Sequence, residues 1–140
     1  MSFNRIYDIA GSAMRAQTVR LDTVASNLAN VDSMAGSEEE AFRALKPVFT
    51  TVYKRVQEAG GLGAAEVSIS GVVQSDRAVE KRLEPDNPLS DEQGFVYLSN
   101  VNTVEEMADM MSASRNFETS VEVMNRISSM QQGLLRLGQG

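Results

Sequence analysis

Apolar residues recur at alternating steps of four and three from Phe3 to Val31. Because an α-helix has about 3.6 residues per turn, this spacing places the apolar side chains along one side of a helix. The pattern predicts a helix from Ser2 to Asn30, roughly 40 Å long at 1.5 Å per residue. Its apolar side, the N-terminal seam, comprises Phe3, Tyr7, Ala10, Met14, Gln17, Leu21, Val24, Leu28 and Val31.

The last segment has a second helical pattern, which predicts a helix from Val104 to Leu137. Thr103 and Glu106 have the spacing of a capping box at its start, and Gly138 is typical of a helix end. The apolar positions of this helix, the C-terminal stripe, are Met107, Met110, Phe117, Val121, Met124, Ile127, Met130, Leu134 and Leu137.

The middle of the chain changes from helical to alternating patterns. Residues 31–44 have the turn-forming composition of a loop. Runs rich in β-branched and aromatic residues then predict short strands. The predicted strands are Val48–Tyr53, Val67–Val72, Ala78–Leu83 and Gly94–Leu98, with turns at Gly60–Gly63 and Pro85–Pro88.

The order helix, strands, helix predicts an α+β fold with a small antiparallel β insert. Its expected parts are an N-terminal helix in residues 1–31, an insert in 32–102 and a C-terminal helix in 103–140. Heptad spacing favours pairing of the two terminal helices as an antiparallel coiled coil.

The two apolar helix surfaces are too long for a small insert to cover, and monomeric proteins rarely expose such stripes. We therefore expect other chains to cover them, with the helices of the isolated subunit partly disordered until assembly. Methionine is concentrated here, since five of the eight methionines lie in the last helix. Ordinary core filling is one explanation, and a surface that adapts to non-identical neighbours is the other.

Composition argues against enzymatic and cofactor chemistry. The chain has no histidine or cysteine, so the commonest general base, thiolate nucleophiles and thiolate metal ligands are missing. Asp86–Asp91 lacks the EF-hand spacing, and Gly60–Gly63 lacks the lysine of a phosphate-binding loop. The net charge of −6 does not favour binding to nucleic acid. We expect a non-enzymatic protein without cofactor, metal or small-molecule substrate.

Two groups of residues resemble the bacterial flagellar axial proteins, which include the rod, hook and hook-associated subunits. The first group is Met14, Ala16, Gln17, Arg20, Leu21, Ala25, Asn27, Leu28, Ala29 and Asn30. The second, more specific group is similar to subunits of the proximal rod: Asp91–Tyr97, Asn100–Asn102, Val104–Met107, Met110–Ala113, Arg115 and Val121–Asn125.

The resemblance implies a structural subunit that assembles helically through its terminal helices and transmits torque. It implies as partners other copies of the chain, other rod subunits, the rod-base junction protein and the flagellar type III export apparatus. The implied location is the basal-body rod in the periplasmic space, reached without a cleaved signal peptide. A distal-rod or hook-like subunit and a cytosolic helical secretion adaptor or chaperone are the alternatives.

The interface expected from these patterns consists of both apolar helix surfaces. Polar residues at the helix ends form a second candidate group, which we expect to cap the helices and fix their joint to the insert. The alternative for this group is local capping without a role between subunits. Its members are Asn27, Asn30, Asn100, Asn102 and Thr103.

Overall fold

The computed structural model describes residues 3–53 and 65–138. It confirms the two long terminal helices, α1 (Phe3–Ala29) and α2 (Thr103–Gly138). Among the described residues between them there are five strands: β1 (Met34–Ala35), β2 (Leu45–Tyr53), β3 (Ala65–Gln74), β4 (Glu80–Leu83) and β5 (Phe95–Leu98). The predicted α+β class with a small antiparallel insert is therefore confirmed.

The described part of the insert forms two antiparallel sheets. One is the hairpin of β2 and β3, in which Leu45 lies opposite Gln74 and Tyr53 opposite Ala65. The other has the strand order β1-β5-β4. All four predicted strands are present, whereas β1 lies inside the segment predicted to be entirely loop. The predicted turn at Gly60–Gly63 lies outside the described residues.

A tight turn at residues 91–94 immediately precedes β5. The N–H of Gly94 donates to the carbonyl oxygen of Asp91 at 2.9 Å, and Gly94 has a φ of 82°. Only glycine adopts this φ readily, and a Cβ here would lie 3.1 Å from the Cβ of Pro85. The Asp91 carboxylate accepts the N–H of Phe95 at 2.9 Å, and this bond is the main cause that lowers the pKa of Asp91.

The core of the described residues is small. Val96 of β5 is fully enclosed and is the largest of the side chains with less than 2% exposure. Leu98 of the same strand is also buried, because β5 is the middle strand of its sheet. The remaining buried apolar side chains belong mostly to alanines: Ala10, Ala16, Ala41, Ala44 and Ala113, together with Val24 and Ile127. Much of the large apolar surface therefore stays outside this core.

Candidate functional site: helix surfaces and a polar junction

The two helices pack along each other in antiparallel directions. At one end, the hydroxyl of Tyr7 donates to Oε1 of Gln131 at 3.2 Å. Further along, Arg20 pairs with Asp109 at 2.7 Å. Nδ2 of Asn27 then donates to the Glu106 carboxylate at 3.0 Å. As residue numbers rise along α1 they fall along α2, which establishes the antiparallel arrangement.

The N-terminal seam is only partly covered in the single chain. Ala10 and Val24 are buried, at 6% and 3% exposure. The other members are half-buried: Phe3, Tyr7, Met14, Gln17, Leu21, Leu28 and Val31. Ala10 and Val24 are thus covered in the single chain, whereas the other members of the seam remain partly accessible.

The C-terminal stripe is not one continuous surface. Ile127 is buried, and three further members of the stripe are half-buried: Phe117, Val121 and Met124. Five members remain exposed, namely Met107 (54%), Met110 (37%), Met130 (60%), Leu134 (55%) and Leu137 (80%). The middle of the stripe follows α1, whereas both ends project into solvent.

Further exposed apolar residues extend these two ends into separate surfaces. The first exposed surface comprises Val104, Met107, Met110 and Met111, and the second comprises Val123, Met130, Leu134 and Leu137. At about 100° per residue, their mean directions are roughly 140° apart around the axis of α2. Met130 lies 23 positions after Met107, so these two residues of the two surfaces are about 35 Å apart along that axis.

The sequence patterns missed a second covered side of α1. Ser12, Ala16 and Thr23 are buried there, at 2%, 2% and 6% exposure. The N–H of Val67 in β3 donates to Oγ of Ser12 at 3.2 Å, so this side receives the β2–β3 hairpin. Small residues at helical spacing are the only signal that could have revealed it.

A polar junction joins the helices to the insert; we define it as Asn27, Lys46, Arg77, Asn100, Glu105 and Glu106. Asn27, at 1% exposure, bonds both backbone groups of Leu45: its Oδ1 accepts the N–H at 2.8 Å and its Nδ2 donates to the carbonyl at 2.9 Å. Oδ1 of Asn100 accepts the N–H of Ala44 at 2.7 Å. Two asparagines from distant segments thus hold consecutive residues at the start of β2.

Charged residues continue the polar junction toward the first turn of α2. The ammonium of Lys46 lies 3.0 Å from the carboxylate of Glu105 and 3.9 Å from that of Glu106. Arg77 reaches the other oxygen of Glu105 at 3.0 Å. Hydrogen bonds from Lys46 and then Arg77 lower the pKa of Glu105, because both favour its charged form. Lys46 of β2 and Arg77, which lies between β3 and β4, are therefore both tied to the start of α2.

The structure places the five candidate helix-end residues in different roles. Asn27 and Asn100 meet the insert, whereas the side chain of Asn30 donates to the carbonyl of Ser26, one turn earlier in the chain, at 2.8 Å. Oδ1 of Asn102 accepts the N–H groups of Val104 and Glu105 at 3.0 and 3.2 Å. Asn102 is therefore the N-cap of α2.

The predicted capping box of Thr103 and Glu106 is wrong. Thr103 is the first residue of α2 and is exposed. The carboxylate of Glu106 turns toward Asn27 instead of back to the helix start. The physical reason is that Asn102, one position earlier, already provides a side-chain acceptor for the orphan N–H groups.

Replacing Asn102 with alanine is expected to lower the free energy of unfolding by about 1 kcal/mol, the usual cost of losing an N-cap. Thr103→Ala is the matched control, since it changes the neighbouring residue and leaves the cap in place. Urea unfolding of both variants measures the difference. Equal losses for the two variants would contradict the assignment of Asn102 as the cap.

Residues 3–53 and 65–138 offer few features of other kinds of site. No group of acidic, histidine or cysteine side chains in these ranges has the arrangement of a metal site. Over the same residues, neither helix combines the length and the apolar character that crossing a membrane requires. The candidate functional site therefore consists of the helix surfaces and the polar junction.

Two family models match the chain, one at each helical end. Residues 8–34 match the model "Flagella basal body rod protein", and residues 92–137 match "Flagellar basal body rod FlgEFG protein C-terminal". The matched ranges contain most of α1, β5 and nearly all of α2. The fold and these matches define the class as a flagellar basal-body rod protein.

Full-length relatives narrow this class. The chain is 42% identical to the flagellar basal-body rod protein FlgC of Escherichia coli O157:H7 and to that of Salmonella typhimurium, over 99% of this chain and 100% of each relative. It is 37% identical to FlgC of Aquifex aeolicus over 88% of this chain and 87% of that protein.

The chain belongs to the FlgC family and is a structural subunit of the flagellar basal-body rod. The expectation of a rod subunit from the sequence is confirmed. The alternatives of a distal-rod or hook-like subunit and of a cytosolic adaptor are not retained, because the full-length relatives are FlgC proteins.

Proposed function

We propose that the chain assembles helically with neighbouring subunits through α1 and α2 to build the proximal rod, and that torque passes through these helices. The observation that carries this proposal is the large apolar area that α2 leaves uncovered. Met107, Met130 and Leu134 are each more than half exposed in the single chain. Covering such a side chain at a contact between subunits contributes roughly 1.5–3 kcal/mol to the free energy of association.

The arrangement of the exposed surfaces supports an open helical array. The first and second exposed surfaces lie on different flanks and at different ends of α2. Two unlike surfaces that mate between copies form a heterologous contact, which extends into a helical filament unless the rotation closes a ring. Contact between α2 helices is thus a direct way to continue the rod from one subunit to the next.

The connection between helices and insert supports the transmission of torque. Asn27 and Glu106 join α1 to α2 at the same point where Asn27 holds β2. A force applied to the helices therefore reaches the insert through short hydrogen bonds. We assign residues 1–31 and 103–140 to the rod core, where their heptad spacing favours a coiled coil, and residues 32–102 to a surface domain outside it.

The proposal includes the environment of the subunit. Its neighbours in the rod are other copies of the chain, other rod subunits and the junction protein at the rod base. The type III export apparatus of the flagellum delivers it, and it assembles in the periplasmic space. The family relationship supports these assignments, since a rod subunit needs delivery to and contacts within the basal body.

Deletion of the gene in its own host tests the function as a whole. We expect cells without rods beyond the basal rings in electron micrographs, and complete loss of swimming. Re-expression of the intact chain is the control and should restore both. A deletion strain that still builds normal rods and swims would rule out the proposed function.

A further inference from the structure

Gln17 is a polar residue at an apolar position of the N-terminal seam. It lies one heptad after Ala10 and one heptad before Val24, both of which are buried. These three residues therefore share one side of α1, the side that faces α2. Oε1 of Gln17 is enclosed and has no hydrogen-bond partner among the described residues.

The other polar groups along this side of α1 are paired. Tyr7 bonds Gln131, Arg20 bonds Asp109, and Asn27 bonds Glu106. An enclosed carbonyl oxygen without a donor destabilises the helix pair, because it loses its bond to water on burial. A polar residue at a single seam position is a known way to fix register and partner at a cost in stability.

We propose that Gln17 is a specificity residue, whose side-chain oxygen receives a hydrogen bond from a neighbouring rod subunit when the helix pair adjusts on assembly. The donor is an amide or guanidinium group, since these offer the N–H geometry that a carbonyl oxygen accepts. In the free subunit the same residue weakens the pairing of α1 with α2. This inference rests on the proposed assembly of the subunit through its terminal helices.

The packing of the helices permits such an adjustment. Between α1 and α2, the buried apolar side chains are Ala10, Val24, Ala113 and Ile127, and two of these four are alanines. The two alanines form few dispersion contacts, so a small shift of one helix past the other loses little energy at these positions. A neighbouring chain that covers the exposed parts of α2 compensates for that loss.

Substitution of Gln17 by methionine tests the inference, because methionine keeps the length of the side chain and removes its polar atoms. We expect the free Gln17→Met subunit to unfold at a temperature roughly 3–8 °C higher, measured by helical circular dichroism. Complementation of the deletion strain with the same variant should yield at least tenfold fewer rods per cell in electron micrographs. Gln17→Leu should behave in the same way.

Met14→Leu is the matched control, since it exchanges two apolar side chains in the same seam and should change neither measurement by a comparable amount. Normal rod numbers with Gln17→Met, or a free variant that is no more stable than the original, would overturn the inference. If rods are normal with Gln17→Met but absent from the deletion strain, the specificity role fails and the proposed function stands. If the deletion strain itself builds rods, the proposed function fails.

Discussion

Replacing Leu134 with glutamate is expected to abolish rod assembly and swimming while leaving the fold of the free subunit intact. Leu134 is 55% exposed in the single chain, and glutamate forms helices about as well as leucine. In an assembled rod, the second exposed surface would be covered, and the variant would place a charge in that contact. A loss of about 3 kcal/mol per contact lowers the association constant roughly a hundredfold.

The measurement is the number of rods per cell in electron micrographs, together with swimming in soft agar. Gln132→Glu is the matched control: it adds the same charge to the same helical turn, and its direction around α2 lies outside the second exposed surface. Circular dichroism of both free variants verifies that they fold alike. Normal rods with Leu134→Glu would show that the second exposed surface is not an assembly contact.

Replacing Asn27 with alanine is expected to lower the free energy of unfolding of the free subunit by about 3 kcal/mol or more. The substitution removes the partners of the N–H and carbonyl of Leu45. It also removes the amide donor of the buried Glu106 carboxylate, which keeps only the longer ion pair with Lys46 described above. Each enclosed polar group without a partner costs about 1–3 kcal/mol. Water offers little compensation, because Asn27 and Glu106 are 1% and 2% exposed.

Asn30→Ala is the control for this experiment, and urea unfolding is the measurement. Asn30 lies three residues further along the chain, and its side chain donates to the carbonyl of Ser26 one turn earlier. The backbone bonds of Asn30 survive the substitution, so the loss should cost less than about 1 kcal/mol. Similar losses for the two variants would mean that the side chain of Asn27 does not carry the joint between helix and insert.

Periodicity predicted the elements of this fold well because the helices are long and the strands carry β-branched runs. The helices end within a residue or two of the predicted bounds, and each predicted strand is present. The missed strand, β1, has only two residues and forms because Met34 lies opposite Leu98 across 64 positions of sequence. Such a short element has no periodicity of its own and exists only through its distant partner.

The candidate site was less accessible to sequence reasoning. The apolar character of Met107 and Ile127 is similar, yet one is exposed and the other buried, since hydrophobicity does not say which neighbour covers a residue. Ser12 lies under the hairpin because its small side chain allows close approach, which leaves no hydrophobic signal. The N-cap of α2 is Asn102 and not the predicted Thr103. Both residue types suit an N-cap, so the local pattern does not discriminate between them.

The hydrogen-bond network at the start of β2, which belongs to the polar junction, has a consequence for the biogenesis of the subunit. It needs Asn27, Leu45, Asn100 and Glu106 together, and Asn27 and Glu106 are 79 positions apart. A nascent chain cannot close it until residue 106 has left the ribosome, and contacts over such separations form slowly. During this interval the chain lacks this joint, which favours the delivery by the export apparatus that we propose.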